Sequence, residues 1–132
     1  MTTKRIDIRN ERGQTMVEFA LIVPILLVVV FSIIQFGILY NHYITLTDAT
    51  RVGARKGAVS RTASNPIALT VAATRAAAPG LKPADLGVTA TATAWSPGAD
   101  ITVEATYPYD IDVLGIVVAS GTLRSKTVER VE

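Results

Sequence analysis

Residues 19–40 read FALIVPILLVVVFSIIQFGILY, 22 consecutive residues without a charge, and only Pro24, Ser32, Gln35 and Gly37 among them are not strongly apolar. As a helix rising ~1.5 Å per residue, this run is about 33 Å long, which matches a bilayer hydrocarbon core of about 30 Å. A chain of 132 residues has no interior large enough to hide a helix that is apolar all round. A cleaved secretory signal has an apolar region of about 7–15 residues followed by small residues. This run is longer and leads into Tyr40, Asn41, His42 and Tyr43. The segment is therefore predicted to remain as a membrane anchor, with Tyr40, His42 and Tyr43 as an interfacial belt.

The formal net charge of +2 is concentrated at one end. Lys4, Arg5, Arg9 and Arg12 outweigh Asp7 and Glu11, whereas residues 14–132 carry nine basic and nine acidic groups. The excess marks a basic leader, and no nucleic-acid-binding surface is expected. The chain has no Cys and one His, which excludes a disulfide scaffold, a thiol nucleophile and a multi-histidine metal centre. Phosphate-binding glycine loops, nucleophile elbows and metal-ligand spacings are missing from the sequence. Asp110 and Asp112 supply too few oxygens for calcium, which needs about six to eight. No enzyme and no cofactor are expected.

The leader joins the apolar run through Arg12, Gly13, Gln14, Thr15, Met16, Val17, Glu18 and Phe19. Gly13 lacks a Cβ, so another backbone can approach it closely. Glu18 places an ionisable group at the edge of a membrane segment, where it costs a few kcal/mol unless paired. Physics alone leaves two readings open. Glu18 is either a functional group or a snorkelling carboxylate in a favourable first helical turn.

The spacing of Gly13, Glu18 and Phe19 ahead of the long apolar run resembles the cleavage signal of type IV prepilins, in the form used by the tight-adherence (Tad/Flp) pilus system. The stretch from Arg12 to Leu21, Pro24, and the GAR motif ending at Arg55 resemble the TadE-like family, as does the closing Arg130-Val131-Glu132. The resemblance implies a prepilin peptidase that cuts between Gly13 and Gln14 and leaves the apolar helix on the product. Glu18 then becomes the fifth mature residue. It can neutralise the new ammonium on Gln14 within one chain or on a neighbouring subunit, because unpaired charge is penalised in lipid. The partners implied are the lipid bilayer, the peptidase, other pilin or pseudopilin subunits and the Tad assembly platform.

Beyond the membrane, residues 41–59 contain no proline and are predicted to continue the helix. Ala49, Gly53 and Gly57 recur at i, i+4 and i+8, a small-residue ridge that admits close approach of another helix. Arg51 and Arg55 lie round the other side, and Asp48 is spaced to pair with Arg51. Asn65-Pro66 reads as an N-cap followed by a first-turn proline, opening a helix that runs through Ala78. Residues 88–95 suit a strand and 96–100 a turn. Ile101, Val103, Ala105 and Tyr107 alternate with polar residues as a half-buried strand. Residues 111–119 are ambiguous between strand and helix, and 121–131 form a last strand. Residues 49–84 carry six bases and no acid, and the acids that follow, up to residue 123, face no base beyond Lys82. These blocks are complementary either within one subunit or between neighbours.

The expected fold class is α+β and type IV pilin-like. A leader (1–13) precedes a long N-terminal helix (14–59, membrane segment 19–40) and a small head (60–132) with one helix and a sheet of three or four antiparallel strands. The expected role is that of a minor pilin or pseudopilin in Tad pilus assembly and adhesion. Its place would be single-pass in the cytoplasmic (inner) membrane with the head outside, or in an extracellular pilus. The alternatives are an uncleaved membrane-tethered binding module and an accessory subunit of a related secretion system.

Overall fold

The computed structural model describes residues 8–132, with side chains from Gly13 onward. The leader charges Lys4, Arg5 and Asp7 lie outside the described residues. One helix, α1 (Ile8–Ala58, 51 residues), runs about 77 Å at ~1.5 Å per residue. Pro24 sits inside it without ending it, as occurs in apolar helices where neighbouring groups re-satisfy the freed carbonyl. The head adds α2 (Pro66–Ala76) and three strands, β1 (Gly87–Ala92), β2 (Asp100–Val113) and β3 (Ile116–Arg130). The strands form one antiparallel sheet in the order β1-β2-β3.

Local chemistry accounts for most boundaries. The Asn65 side chain accepts from the Ala68 N–H at 3.0 Å, and Pro66 fills the first turn of α2. The helix closes at Ala76, two residues before the expected end. β1 stops at Ala92 rather than Trp95, because Thr93 already turns the chain, its N–H donating to the Asp100 carbonyl at 3.0 Å. The ambiguous segment 111–119 is a hairpin end. Leu114 and Gly115 both have positive φ (55° and 84°), the two-residue turn whose twist suits antiparallel strands. Asp112 braces it by accepting from the Gly115 N–H at 2.9 Å. β3 therefore begins at Ile116, five residues before the expected strand.

Ile101, Val103, Ala105 and Tyr107 are all buried, as their alternation requires of a strand with one face on a core. Ile101, Ala105 and Tyr107 pack against residues of α1 in two clusters. Leu46, Ala49, Ala78, Leu81, Leu86, Ala105 and Tyr107 form one. Ala58, Ile101 and Val131 form the other, flanked by Ala92, Trp95 and Ala99. The chain end closes the top of the head: Val131 N–H donates to Ala99 at 2.7 Å, and Glu132 N–H donates to the Ala58 carbonyl at 3.0 Å. That last bond satisfies one of the carbonyls left over at the end of α1.

β2 runs antiparallel to α1 from the level of Ala58 down to Gln35, and β3 returns beside it. Ile101 meets Ala58 at one end, and His42 and Tyr107 pack edge to face at 5.4 Å lower down. At the other end Gln35 Nε2 donates to the Asp112 carbonyl at 2.7 Å. The two elements are commensurate. Gln35 and Ala58 are 23 steps apart on α1, about 35 Å, while Ile101 and Asp112 are 11 steps apart on β2, about 36 Å at ~3.3 Å per residue.

Candidate functional site

Gln35 makes the lowest hydrogen bond between α1 and the head among the described residues, and below it α1 is largely exposed. Residues 14–34 make a rod of 21 residues, about 32 Å long. The most apolar stretch of α1 has no part buried. Phe19, Leu21, Ile22, Ile25 and Ile33 all present more than half their surface. Exposed aliphatic and aromatic residues around a helix are stable only in an apolar surrounding, and the length fits a hydrocarbon core of about 30 Å. Ser32 meets the demand of that environment locally, donating to the Val28 carbonyl at 2.7 Å.

At the foot of the rod, Gly13, Gln14 and Glu18 lie within continuous helix. Gln14 Nε2 donates to Glu18 Oε1 at 3.0 Å, an i, i+4 contact on one exposed face. The carboxylate of Glu18 is thus held one turn from the backbone nitrogen of Gln14. Phe19 is exposed, as is Gly13, around which a Cβ would meet open space. These residues share one helical segment, and no part of the head reaches them.

Ala49, Gly53 and Gly57 lie far above, against the head. Ala49 is fully buried in the larger cluster. A Cβ on Gly53 would run into the Oγ1 of Thr74 and come within 3.0 Å of its Cβ. On Gly57 it would meet Ile101 Cδ1, and Thr70 Oγ1 at 2.7 Å. The small-residue stripe therefore seats α2 and β2 of the same chain. Both threonines on the facing helix are buried and donate back along α2, Thr70 to Pro66 and Thr74 to Thr70, each at 2.8 Å.

Two polar residues of α1 have partners that carried no sequence signal. Thr50, fully buried, donates to the Thr47 carbonyl at 2.8 Å and lies 3.1 Å from Ser125 Oγ and 3.0 Å from Thr127 Oγ1. Its one proton is committed to Thr47, so the two β3 hydroxyls donate to it. Gln35 is the other. An amide inside the apolar run stands out in the sequence, but its partner is 77 residues away. His42, expected in an interfacial belt, packs edge to face against Tyr107, while Tyr40 and Tyr43 are exposed.

Charge plays little part inside the head. Among the described residues the ion pairs are Asp48–Arg51 at 3.5 Å and Glu104–Arg124 at 3.2 Å. The first follows the expected i, i+3 spacing. Neither joins the basic block to the acidic one. No group of three or more His, Asp or Glu among the described residues is placed to hold a metal ion.

The family model described as TadE-like protein matches residues 13–55, which spans the junction, the rod and the first two residues of the small-residue stripe, Ala49 and Gly53. No curated protein and no solved structure matches the chain significantly. The match, the exposed apolar helix and the α+β head describe a Tad pilus-associated, pilin-like protein anchored in a membrane by a single helix. The TadE-like family consists of structural pilus components.

Proposed function

We propose that this protein is a minor pilin or pseudopilin of a Tad (Flp) pilus apparatus, matured by a prepilin peptidase that cuts between Gly13 and Gln14. On this reading residues 1–13 are a leader, 14–59 the anchoring and packing helix, and 60–132 a head outside the cytoplasmic membrane. Its partners are the bilayer, the peptidase, other pilin subunits and the assembly platform. The observation that carries the proposal is the TadE-like match beginning at Gly13, coupled to the spacing of Gly13 and Glu18 at the foot of a bare, bilayer-length rod. A head of 73 residues argues for a minor rather than a bulk filament subunit, because it widens each copy far beyond a bare helix.

The chemistry is electrostatic. Cutting before Gln14 creates an ammonium at the apolar rod's end, and Glu18 holds a carboxylate one turn away on the same segment. The Gln14 amide that occupies it is a neutral donor, and a charged donor makes the stronger bond. Exchange of that amide for an ammonium, from its own chain or a neighbour, removes an unpaired charge from lipid. The scissile bond lies in helix, and Gly13 lowers local helix stability by about 1 kcal/mol relative to Ala, which eases the extension a peptidase needs.

N-terminal sequencing of the protein recovered from membranes tests the proposal. A chain beginning at Gln14 supports it. An intact leader refutes it and leaves the uncleaved tether. A Ser96→Cys chain tests orientation separately: labelling from outside intact cells is expected, and labelling only after lysis would reverse the topology.

A further inference from the structure

The end of the β2–β3 hairpin is apolar and uncovered. Residues 113–119 read VLGIVVA, and Leu114, Ile116, Val117 and Val118 expose 57%, 68%, 58% and 61% of their surface. A soluble hairpin end would carry polar turn residues, and an exposed aliphatic patch of this kind marks an interaction site. A break in register between Ile111 and Asp112 leaves Val118 as the extra residue between the pairs Ile111–Ala119 and Asp112–Val117. Such a bulge re-aims side chains at a sheet's end.

The level of this end along α1 is fixed. Asp112 is tied to Gln35, at the upper end of the largely exposed rod. Leu114 and Gly115 lie two strand steps further on, about 7 Å beyond Gln35 toward the rod's apolar middle. A hydrocarbon core of about 30 Å ends at Gln35 when laid along the rod from residue 14, and near residue 39 when laid from Phe19, so Gln35 lies at or inside its head-side boundary. The hairpin end therefore projects past that boundary by at least the depth typical of interfacial segments, about 5–10 Å.

We propose that residues 113–119 dip into the leaflet on the head's side, as a second, peripheral contact between this protein and lipid acyl chains. The Gln35–Asp112 bond pins the hairpin to the anchor at the waterline, and the Asp112 side chain keeps the turn closed through Gly115. Charge does not drive the contact: Asp110 and Asp112 lie above it, and residues 113–123 contain no ionisable group. Zwitterionic lipid is sufficient, and salt leaves the contact unchanged. With two points of attachment, the head cannot swing freely about α1. The inference rests on the reading of the bare rod as a membrane span.

The chain has no native cysteine, so single-cysteine variants of the full chain report one site each. Val117→Cys and Val118→Cys probe the hairpin end, Ser96→Cys the opposite end of the head and Ile25→Cys the rod. Each is labelled with a polarity-sensitive fluorophore and reconstituted in phosphatidylcholine vesicles containing spin-labelled acyl chains. Trp95 emission verifies that the head is folded in each. The expected result is several-fold stronger quenching at 117, 118 and 25 than at 96. Quenching at 25 with 117 and 118 behaving like 96 overturns this inference alone. A shielded but unquenched hairpin end, whose shielding fades as protein is diluted in lipid, makes a second copy the occupant and also overturns it. No quenching at 25 overturns the span reading and this inference with it.

Discussion

Among the glycines of α1, Gly53 is where an added Cβ would collide hardest with the head, so Gly53→Ala measures how tightly the small-residue stripe is used. An added Cβ comes within 3.0 Å of the Thr74 Cβ and collides with Thr74 Oγ1. Carbon–carbon contacts are comfortable at ~3.5–4.0 Å, so α2 must retreat by about 0.5–1 Å. The Thr74 hydroxyl cannot swing away without breaking its bond to the Thr70 carbonyl. Overpacking of this kind costs about 1–3 kcal/mol, while replacing a helical glycine by alanine returns about 1 kcal/mol. A net loss of about 1 kcal/mol is expected. The sharper quantity is the coupling with Thr74→Ala, which removes the colliding oxygen. In that background the oxygen collision is gone while the Cβ contact at 3.0 Å remains, so Gly53→Ala is expected to be near neutral, giving a coupling of about 1 kcal/mol. Urea unfolding of the full chain in detergent micelles, followed by Trp95, supplies the free energies. Trp95 is the single tryptophan and packs beside Ala58, Ile101 and Val131. Additive effects, with coupling below about 0.3 kcal/mol, would refute the close seating of α2 on α1.

The same assay reads three further changes. Thr50→Val keeps shape but leaves the Ser125 and Thr127 hydroxyls without their shared acceptor; a loss of about 1–3 kcal/mol is expected. Val131→Ala removes two buried methyl groups from the upper cluster and lowers stability by about 1–2 kcal/mol, whereas Glu132→Ala, which keeps its backbone bond to Ala58, changes little. Asn65→Ala deletes the cap on α2 and costs about 1 kcal/mol, with Asn65→Asp retaining most of it.

The elements governed by local rules were legible in the sequence. A charge-free run of bilayer length, an Asn-Pro helix start and an apolar/polar alternation over 101–107 each state their structure within a few residues. The hairpin end was illegible because its turn uses Leu114 where Asn or Gly would signal a positive φ; only Gly115 and the bracing Asp112 hint at it. The depth to which the hairpin descends was equally hidden. It depends on the match of strand length to helix length and on a Gln35–Asp112 bond spanning 77 residues. The small-residue stripe was legible as a packing surface, but periodicity does not say which helix arrives. Thr50 read as one more polar helix residue until β3 brought Ser125 and Thr127 beside it.

The identity of that arriving helix limits how such subunits can associate. Ala49, Gly53 and Gly57 offer the close approach that membrane and pilin helices favour, yet α2 and Ile101 of the same chain occupy it. Contact between neighbouring copies of α1 is left to the bare rod, whose surface is large and aliphatic. In lipid such side chains gain nothing over acyl chains by meeting one another, so polar groups must supply the selectivity. Ser32 is turned onto its own helix and Gln35 onto Asp112. Glu18 is the one charge between residues 13 and 47, and it holds only an exposed neutral amide. On the proposed function, head stability and subunit association are separable: the first resides above Gln35 in packing and buried hydroxyls, and the second falls to the Glu18 carboxylate, more than a full rod-length below the small-residue stripe.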